Sequence, residues 1–126
     1  MSTSQESIRI LAVDDHPTFR EGLAMVLAAQ PDMSLVAQAS NGREAIQQFR
    51  QHHPDITLMD LQMPAMNGLD AMVAIRKEFP DAKIIILTTY ESDVQDAMKL
   101  GARAYLLKTE LNKELLRTIR AVQADR

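Results

Sequence analysis

The chain has no cysteine and no tryptophan, only four glycines, and aromatic side chains make up just 4% of its 126 residues. Without cysteine there is no disulfide framework, no thiolate metal site and no thiol nucleophile. No apolar run approaches ~18 residues, so no transmembrane helix is expected. The opening residues, Met1 to Ser7, are polar and lack the apolar core of a signal peptide. Positive charge is not in excess either, since 14 basic and 17 acidic residues leave a net charge of -3. Binding nucleic acid requires a concentrated basic face against the phosphates. The nearest thing to one is Lys113, Arg117 and Arg120 near the end of the chain, which reads as a solvated helix face. The expectation is an intracellular, cytoplasmic protein with no membrane segment and no direct contact with nucleic acid.

What is present is ordinary globular material, 46% hydrophobic and 25% charged, in a length suited to one domain. Short apolar, β-rich runs occur at 8–13, 34–39, 55–59, 83–88 and 104–107, and helical patterns fall between them. Phe19, Leu23, Val26 and Leu27 share one face of a helix that Pro17 can open. Ala45, Ile46 and Phe49 mark a second, with Asn41 and Glu44 spaced as a capping box. Leu69, Met72, Ile75 and Phe79 give a third, stopped before Pro80. Val94, Ala97 and Met98 give a fourth, ended near Gly101, and Leu111, Leu115, Ile119 and Val122 a fifth. Most of the eight methionines fall at core positions, where an unbranched thioether fills gaps. Strands alternating with helices predict an α/β fold, a flavodoxin-like doubly wound sheet of five parallel strands, (βα)5.

In such a sheet, ligands bind beyond the carboxyl ends of the strands. The run 8–13 ends in Asp14-Asp15, the run 55–59 in Asp60, and the run 104–107 in Lys108, while Thr88 closes the fourth run. Three carboxylates in one small cleft cannot all stay ionised without a cation, because like charges raise one another's pKa. Carboxylate oxygens suit Mg²⁺, which takes few protein ligands and leaves positions open to phosphate oxygens. Lys108 adds a positive charge for a phosphoryl group. Together these residues describe an acyl-phosphate site in which Asp60 is the nucleophile on phosphorus and Asp14 and Asp15 serve the metal. His16, directly after the acid pair, reads as loop structure. His52 and His53 read as solvated imidazoles at a helix end. Pro64 to Gly68 reads as a shaped turn in which Gly68 supplies backbone freedom.

Val13-Asp14-Asp15, Met59-Asp60, Met63-Pro64, Asn67-Gly68, Thr88, Tyr105 and Lys108 resemble the receiver domain of two-component response regulators, from Ile8 onward. Asp14-Asp15-His16-Pro17 leading into Phe19-Arg20-Glu21-Gly22-Leu23 is similar to the NarL/FixJ subfamily, whose members carry a LuxR-type helix-turn-helix domain. The resemblance implies that Asp60 takes a phosphoryl group from the phosphohistidine of a sensor histidine kinase. It implies that Asp15, Asp60 and the backbone carbonyl of Gln62 ligate Mg²⁺, with Asp14 acting through metal-bound water. Lys108 would pair with the phosphoryl group or, before phosphorylation, with Asp60. Thr88 would turn to the phosphoryl oxygen and Tyr105 would change rotamer, shifting the population at the surface of the fourth and fifth helices. Thr109 stands where many receivers have proline, and Gln62 and Tyr90 border the phosphoryl position. On this reading the chain catalyses only its own phosphorylation and dephosphorylation, and a homodimer on phosphorylation is expected.

Residues 1–126 read as a single receiver domain. Ala121 to Arg126 show no helix-turn-helix pattern, so the DNA-binding domain is expected to be absent from this chain. A receiver fragment of a longer transcription factor is the leading expectation and a stand-alone receiver the alternative. An Asp-nucleophile phosphohydrolase fits less well, because Gln62 fills the position two residues after Asp60 where such enzymes place a second acid. A phosphorylation-independent receiver fits less well because every reactive position is filled. A nucleotide- or flavin-binding module would need a Gly-rich turn where Asp14-Asp15-His16-Pro17 stands.

Overall fold

The computed structural model describes residues 7–125. Residues 1–6, on which the absence of a signal-peptide core was read, lie outside them, as does Arg126. Strands β1 (Ile8–Val13), β2 (Met33–Ala39), β3 (Ile56–Asp60), β4 (Ile84–Thr88) and β5 (Ala104–Leu107) alternate with helices α1 (Pro17–Ala28), α2 (Gly42–His52), α3 (Gly68–Glu78), α4 (Val94–Lys99) and α5 (Leu111–Ala124). All neighbouring strands are parallel, in the order β2-β1-β3-β4-β5. That is the flavodoxin-like order, and its reversal point lies between β1 and β3.

The central strands are mostly apolar because helices cover both faces of the sheet. Successive side chains alternate between the two layers. Leu11, Val13, Met59, Ile84 and Ile86 pack toward α2, α3 and α4, on Ala45, Phe49, Met72, Ile75 and Ala97. Ile10, Ala12, Leu58, Ile85 and Leu87 pack toward α1 and α5, on Leu23, Leu27, Leu115, Ile119 and Val122. Each such Ile or Leu, taken fully out of water, contributes roughly 1.5–3 kcal/mol. Pro17 opens α1, and Gly101 (φ +108) follows α4 in the left-handed region.

Some packing and capping expectations need correction. Val26 is 43% exposed, because its place on the apolar stripe falls at the rim of the groove between α1 and α5. Met98 is also exposed, since α4 is only six residues long and turns outward past Ala97. Of the methionines, Met33, Met59, Met63 and Met72 are buried, whereas Met25 is the most exposed large apolar side chain of the described residues. The capping box at α2 is half formed. Asn41 Oδ1 accepts from the Glu44 amide, but Glu44 reaches back to the amide and hydroxyl of Ser40, not to Asn41.

The turn after β3 fixes the cleft. Asn67 Oδ1 caps α3 by accepting from the Asp70 amide, and the Gly68 amide donates to the Leu61 carbonyl. Gly68 does not supply backbone freedom, since the left-handed residue here is Ala65 (φ 67). It supplies space: a Cβ at Gly68 would lie 2.0 Å from the backbone oxygen of Asp60. Gly68→Ala is therefore expected to lower stability by about 1–3 kcal/mol through forced overpacking. Gly22→Ala, in α1 with nothing within 4 Å of the new methyl, is expected to raise it by about 0.5–1 kcal/mol. Urea unfolding midpoints of the two variants check this, and similar midpoints would refute the steric role of Gly68.

Candidate functional site

Strand pleat decides which side chains meet at the carboxyl edge of the sheet. Asp60 continues the alternation Ile56-Leu58, Asp14 continues Ile10-Ala12, and Lys108 continues Leu106, so all three fall on the α1 and α5 side. There Lys108 Nζ donates to Asp14 Oδ2 at 2.6 Å and stands 3.6 Å from Asp60 Oδ2. The expected ion pair with Asp60 is present, and the contact with Asp14 is the shorter of the two. The ammonium also lies 4.4 Å over the ring of Phe19 of α1, an arrangement attractive to a cation. Asp14 is wholly buried and Asp60 is 3% exposed.

Asp60 Oδ1 accepts from the Gln62 amide at 3.2 Å. Burial pushes the Asp60 carboxyl up to about 6. Lys108 and the Gln62 amide draw it down, while Asp14 and Asp15 add to the rise. Asp15, partly exposed, has a buried Oδ1 with no hydrogen-bond partner. An orphaned carboxylate oxygen beside two further buried carboxylates is the electrostatic environment that a divalent cation relieves. Among the described residues, Asp14, Asp15, His16 and Asp60 each bring one ligand atom within 4.8 Å of the others. These donors fit a small hard cation.

Thr88 and Tyr105 sit on the other side of the sheet. Thr88 shares the parity of Ile86, toward the α4 layer, and its Oγ1 accepts from the Tyr90 amide (3.1 Å) and donates to the Tyr90 carbonyl (3.2 Å). Tyr105 is exposed and lines a surface hollow with Glu91, Val94 and Gln95. The Gln62 side chain leaves the acid cluster and donates from Nε2 to Asp93 Oδ2 at 3.0 Å.

His16, expected to be loop structure, is the residue before α1. The structure puts its Nδ1 3.0 Å from both Asp14 Oδ1 and Asp15 Oδ1. The signal available was its position next to the acid pair. His52 and His53 are remote from this cluster at the end of α2, where His53 packs edge-on against Phe49 and Phe79. Of the basic residues of α5, Arg120 pairs with Asp32 and Arg117 with Glu114.

The sequence profile of the response regulator receiver domain matches residues 10–120. The transcriptional regulatory protein LiaR of Bacillus subtilis is 43% identical over 116 residues, covering 90% of this chain and 55% of that protein. The nitrate/nitrite response regulator protein NarL of Escherichia coli K12 is 36% identical over 124 residues, covering 97% and 57%. A LuxR-family two-component response regulator from Aurantimonas sp. SI85-9A1 superposes with a TM-score of 0.91 at 35% identity, covering 96% of this chain and 88% of that one. The chain spans about half the length of the curated relatives it matches. Among the described residues no helix is long and apolar enough to cross a membrane.

The raised carboxyl of Asp60 makes stability depend on pH. An unfolded Asp carboxyl titrates near 3.8 and the folded one at about 6. The folded chain thus binds the extra proton between these values, so this contribution is complete below 3.8 and is lost as pH rises through about 6. Asp60→Asn, which removes the ionised form, is expected to be more stable than the parent at about pH 7.5 by roughly 1–3 kcal/mol, with the gap closing toward about pH 4. Urea unfolding in the presence of chelator measures it, and a gap that does not narrow in acid would show that buried charge is not its source.

Proposed function

The chain belongs to the response regulator receiver domain family, of the NarL/LuxR kind, and on that premise we propose that it is a Mg²⁺-dependent phosphoacceptor switch with Asp60 as acceptor. The observation that carries this reading is the convergence of Asp14, Asp60 and Lys108 from β1, β3 and β5 within ion-pair distance at one sheet edge. Asp15, Asp60 and the Gln62 carbonyl are the groups to hold Mg²⁺, with Asp14 beside them, and the orphaned Asp15 Oδ1 supports that assignment. The bound ion supplies charge neutralisation for the incoming phosphoryl group.

The chain's own part is positioning and electrostatics, which dominate phosphoryl transfer. An oxygen of Asp60 attacks the phosphorus of a phosphohistidine. The phosphorus–nitrogen bond breaks, the new phosphorus–oxygen bond forms, and the departing imidazole takes up a proton. The Gln62 amide holds Asp60 Oδ1, which leaves Oδ2 as the oxygen facing Lys108. Lys108 balances the charge that three phosphoryl oxygens bring to a site where two acids are already buried. Thr88 then exchanges its bonds to Tyr90 for one to the phosphoryl group, and Tyr105 follows into the space released near α4.

A sensor histidine kinase is the proposed donor, which places the chain in the cytoplasm. The output is proposed to be transcriptional, through a LuxR-type DNA-binding domain of the longer protein, with homodimerisation on phosphorylation. The test uses acetyl phosphate as a small donor, with intact mass as the readout. One phosphoryl group per chain is expected, with complete loss in Asp60→Asn and on chelation of Mg²⁺. Labelling that persists in Asp60→Asn would overturn the assignment of the acceptor.

A further inference from the structure

Taking Asp60 as the phosphoacceptor, as proposed above, we infer that Arg76 of α3 is a positioning residue that pins the C-terminal end of α4. The response to phosphorylation is then a swing of α4 about that end, and not a shift of the whole helix.

A helix leaves amides without partners at its start and carbonyls without partners at its finish. The two ends of α4 are treated differently. At the finish, the Gly101 amide donates to the Met98 carbonyl at 3.2 Å and the Ala102 amide to the Ala97 carbonyl at 3.0 Å. With Gly101 in the left-handed region (φ +108), these are the two bonds of a Schellman closure. Ala97 and Ala102 are both buried. The next amide, that of Arg103, donates to the Ile84 carbonyl at the start of β4.

Arg76 secures this closure from outside. Its Nη1 donates to the Leu100 carbonyl at 3.0 Å and its Nη2 to the Pro80 carbonyl at 3.4 Å. One planar guanidinium thus ties the end of α4 to the turn that follows α3, and a cation suits the negative end of a helix. A Cβ at Gly101 would overlap the guanidinium, which therefore lies directly against the glycine. Nε is buried without a partner among the described residues, so the two carbonyls are what orient the group. The helix that carries Arg76 is itself fixed, with Met72 and Ile75 buried and Asn67 capping its start.

The start of α4 has no such device. No side chain caps it, and its approach is held by the bonds from Thr88 to Tyr90 and from Gln62 to Asp93. Thr88 is the group that the proposed function turns toward the phosphoryl oxygen. Releasing one end of a helix whose other end is pinned leaves rotation about the pinned end. Six residues make a lever about 9 Å long. Displacement is largest from Tyr90 to Val94 and falls away toward Leu100. The surface that changes is the hollow where Val94 and Gln95 meet Tyr105, while the exposed Met98 and Leu100 keep their places.

Amide hydrogen exchange on the unphosphorylated chain tests the pin. Arg76→Ala is expected to exchange at least about tenfold faster at Leu100, Gly101 and Ala102, with Asp93 and the amides of β3 unchanged. Arg76→Lys, whose ammonium reaches one carbonyl at a time, should show a smaller acceleration, and it serves if Arg76→Ala does not fold. Amide resonances followed on addition of acetyl phosphate and Mg²⁺ test the swing. In the parent, shifts are expected from Tyr90 to Gln95 and not from Leu100 to Ala102. In Arg76→Ala they should spread to Ala102, with Asp60 labelled to the parent's extent by intact mass. Unaltered exchange at Leu100 to Ala102 in both variants overturns the pin, and parent shifts of equal size at both ends of α4 overturn the swing. A chain that takes up no phosphoryl group refutes the phosphoacceptor reading and the swing with it, while exchange alone decides the pin.

Discussion

Two buried carboxylates at the end of a parallel sheet are an electrostatic liability, and Lys108 is what the structure sets against it. Asp14 and Asp60 lie on neighbouring strands, β1 and β3, while Lys108 comes from β5, with β4 between. The ammonium can cross the end of β4 because Thr88, its last residue, turns to the opposite face. Desolvating two acids and a base costs more than such pairs usually return, so the cluster is poor evidence for stability. Its consequence is an unequal sharing of charge. Lys108 is bonded to Asp14 and only near Asp60, and Asp60 is left with a carboxyl raised to about 6. The site is short of positive charge at the atom proposed to react.

That arrangement was legible in the sequence to an unusual degree, because position in a pleated strand is countable. The five apolar runs lie within one residue of the strands at every end, and the charged residues follow them directly. Counting by twos also separates the site into halves. Asp14, Asp60 and Lys108 share parity with Ala12, Leu58 and Leu106, whereas Thr88 and Tyr105 fall on the other face. Strand ends put Thr88 at the same carboxyl edge as the charges, and the pleat turns its hydroxyl toward Tyr90.

What could not be read depends on approach between segments that no local pattern records. Gly68 is required by the backbone oxygen of Asp60, eight residues earlier and folded back against it. Glu44 chose Ser40 over Asn41, a difference of one residue in where a flexible side chain finds a donor. Val26 and Met98 obey helical periodicity and are nevertheless exposed, Val26 at the rim of the groove between α1 and α5 and Met98 near the end of the short α4. His16 lay next to the acids in sequence, yet only the direction of its ring shows that the imidazole belongs with them.

The two halves of the site are joined through the segment Tyr90 to Asp93, and by few bonds. Thr88 holds Tyr90 through its amide and carbonyl, and Gln62 holds Asp93 through its side-chain amide. Gln62 is also the residue whose backbone amide holds Asp60 Oδ1. Each of these hydrogen bonds contributes roughly 0.5–1.5 kcal/mol net, so together they hold the entrance to α4 by only a few kcal/mol. α4 itself adds little, being six residues long with an outward-facing Met98. In the proposed function, a phosphoryl group brings about two negative charges and three strong acceptors, which compete with these few contacts. On the proposed function, the reaction is confined to the side of the sheet where α1 and α5 are well packed. On the same proposal, the response falls on the opposite side, at the entrance to the short helix α4.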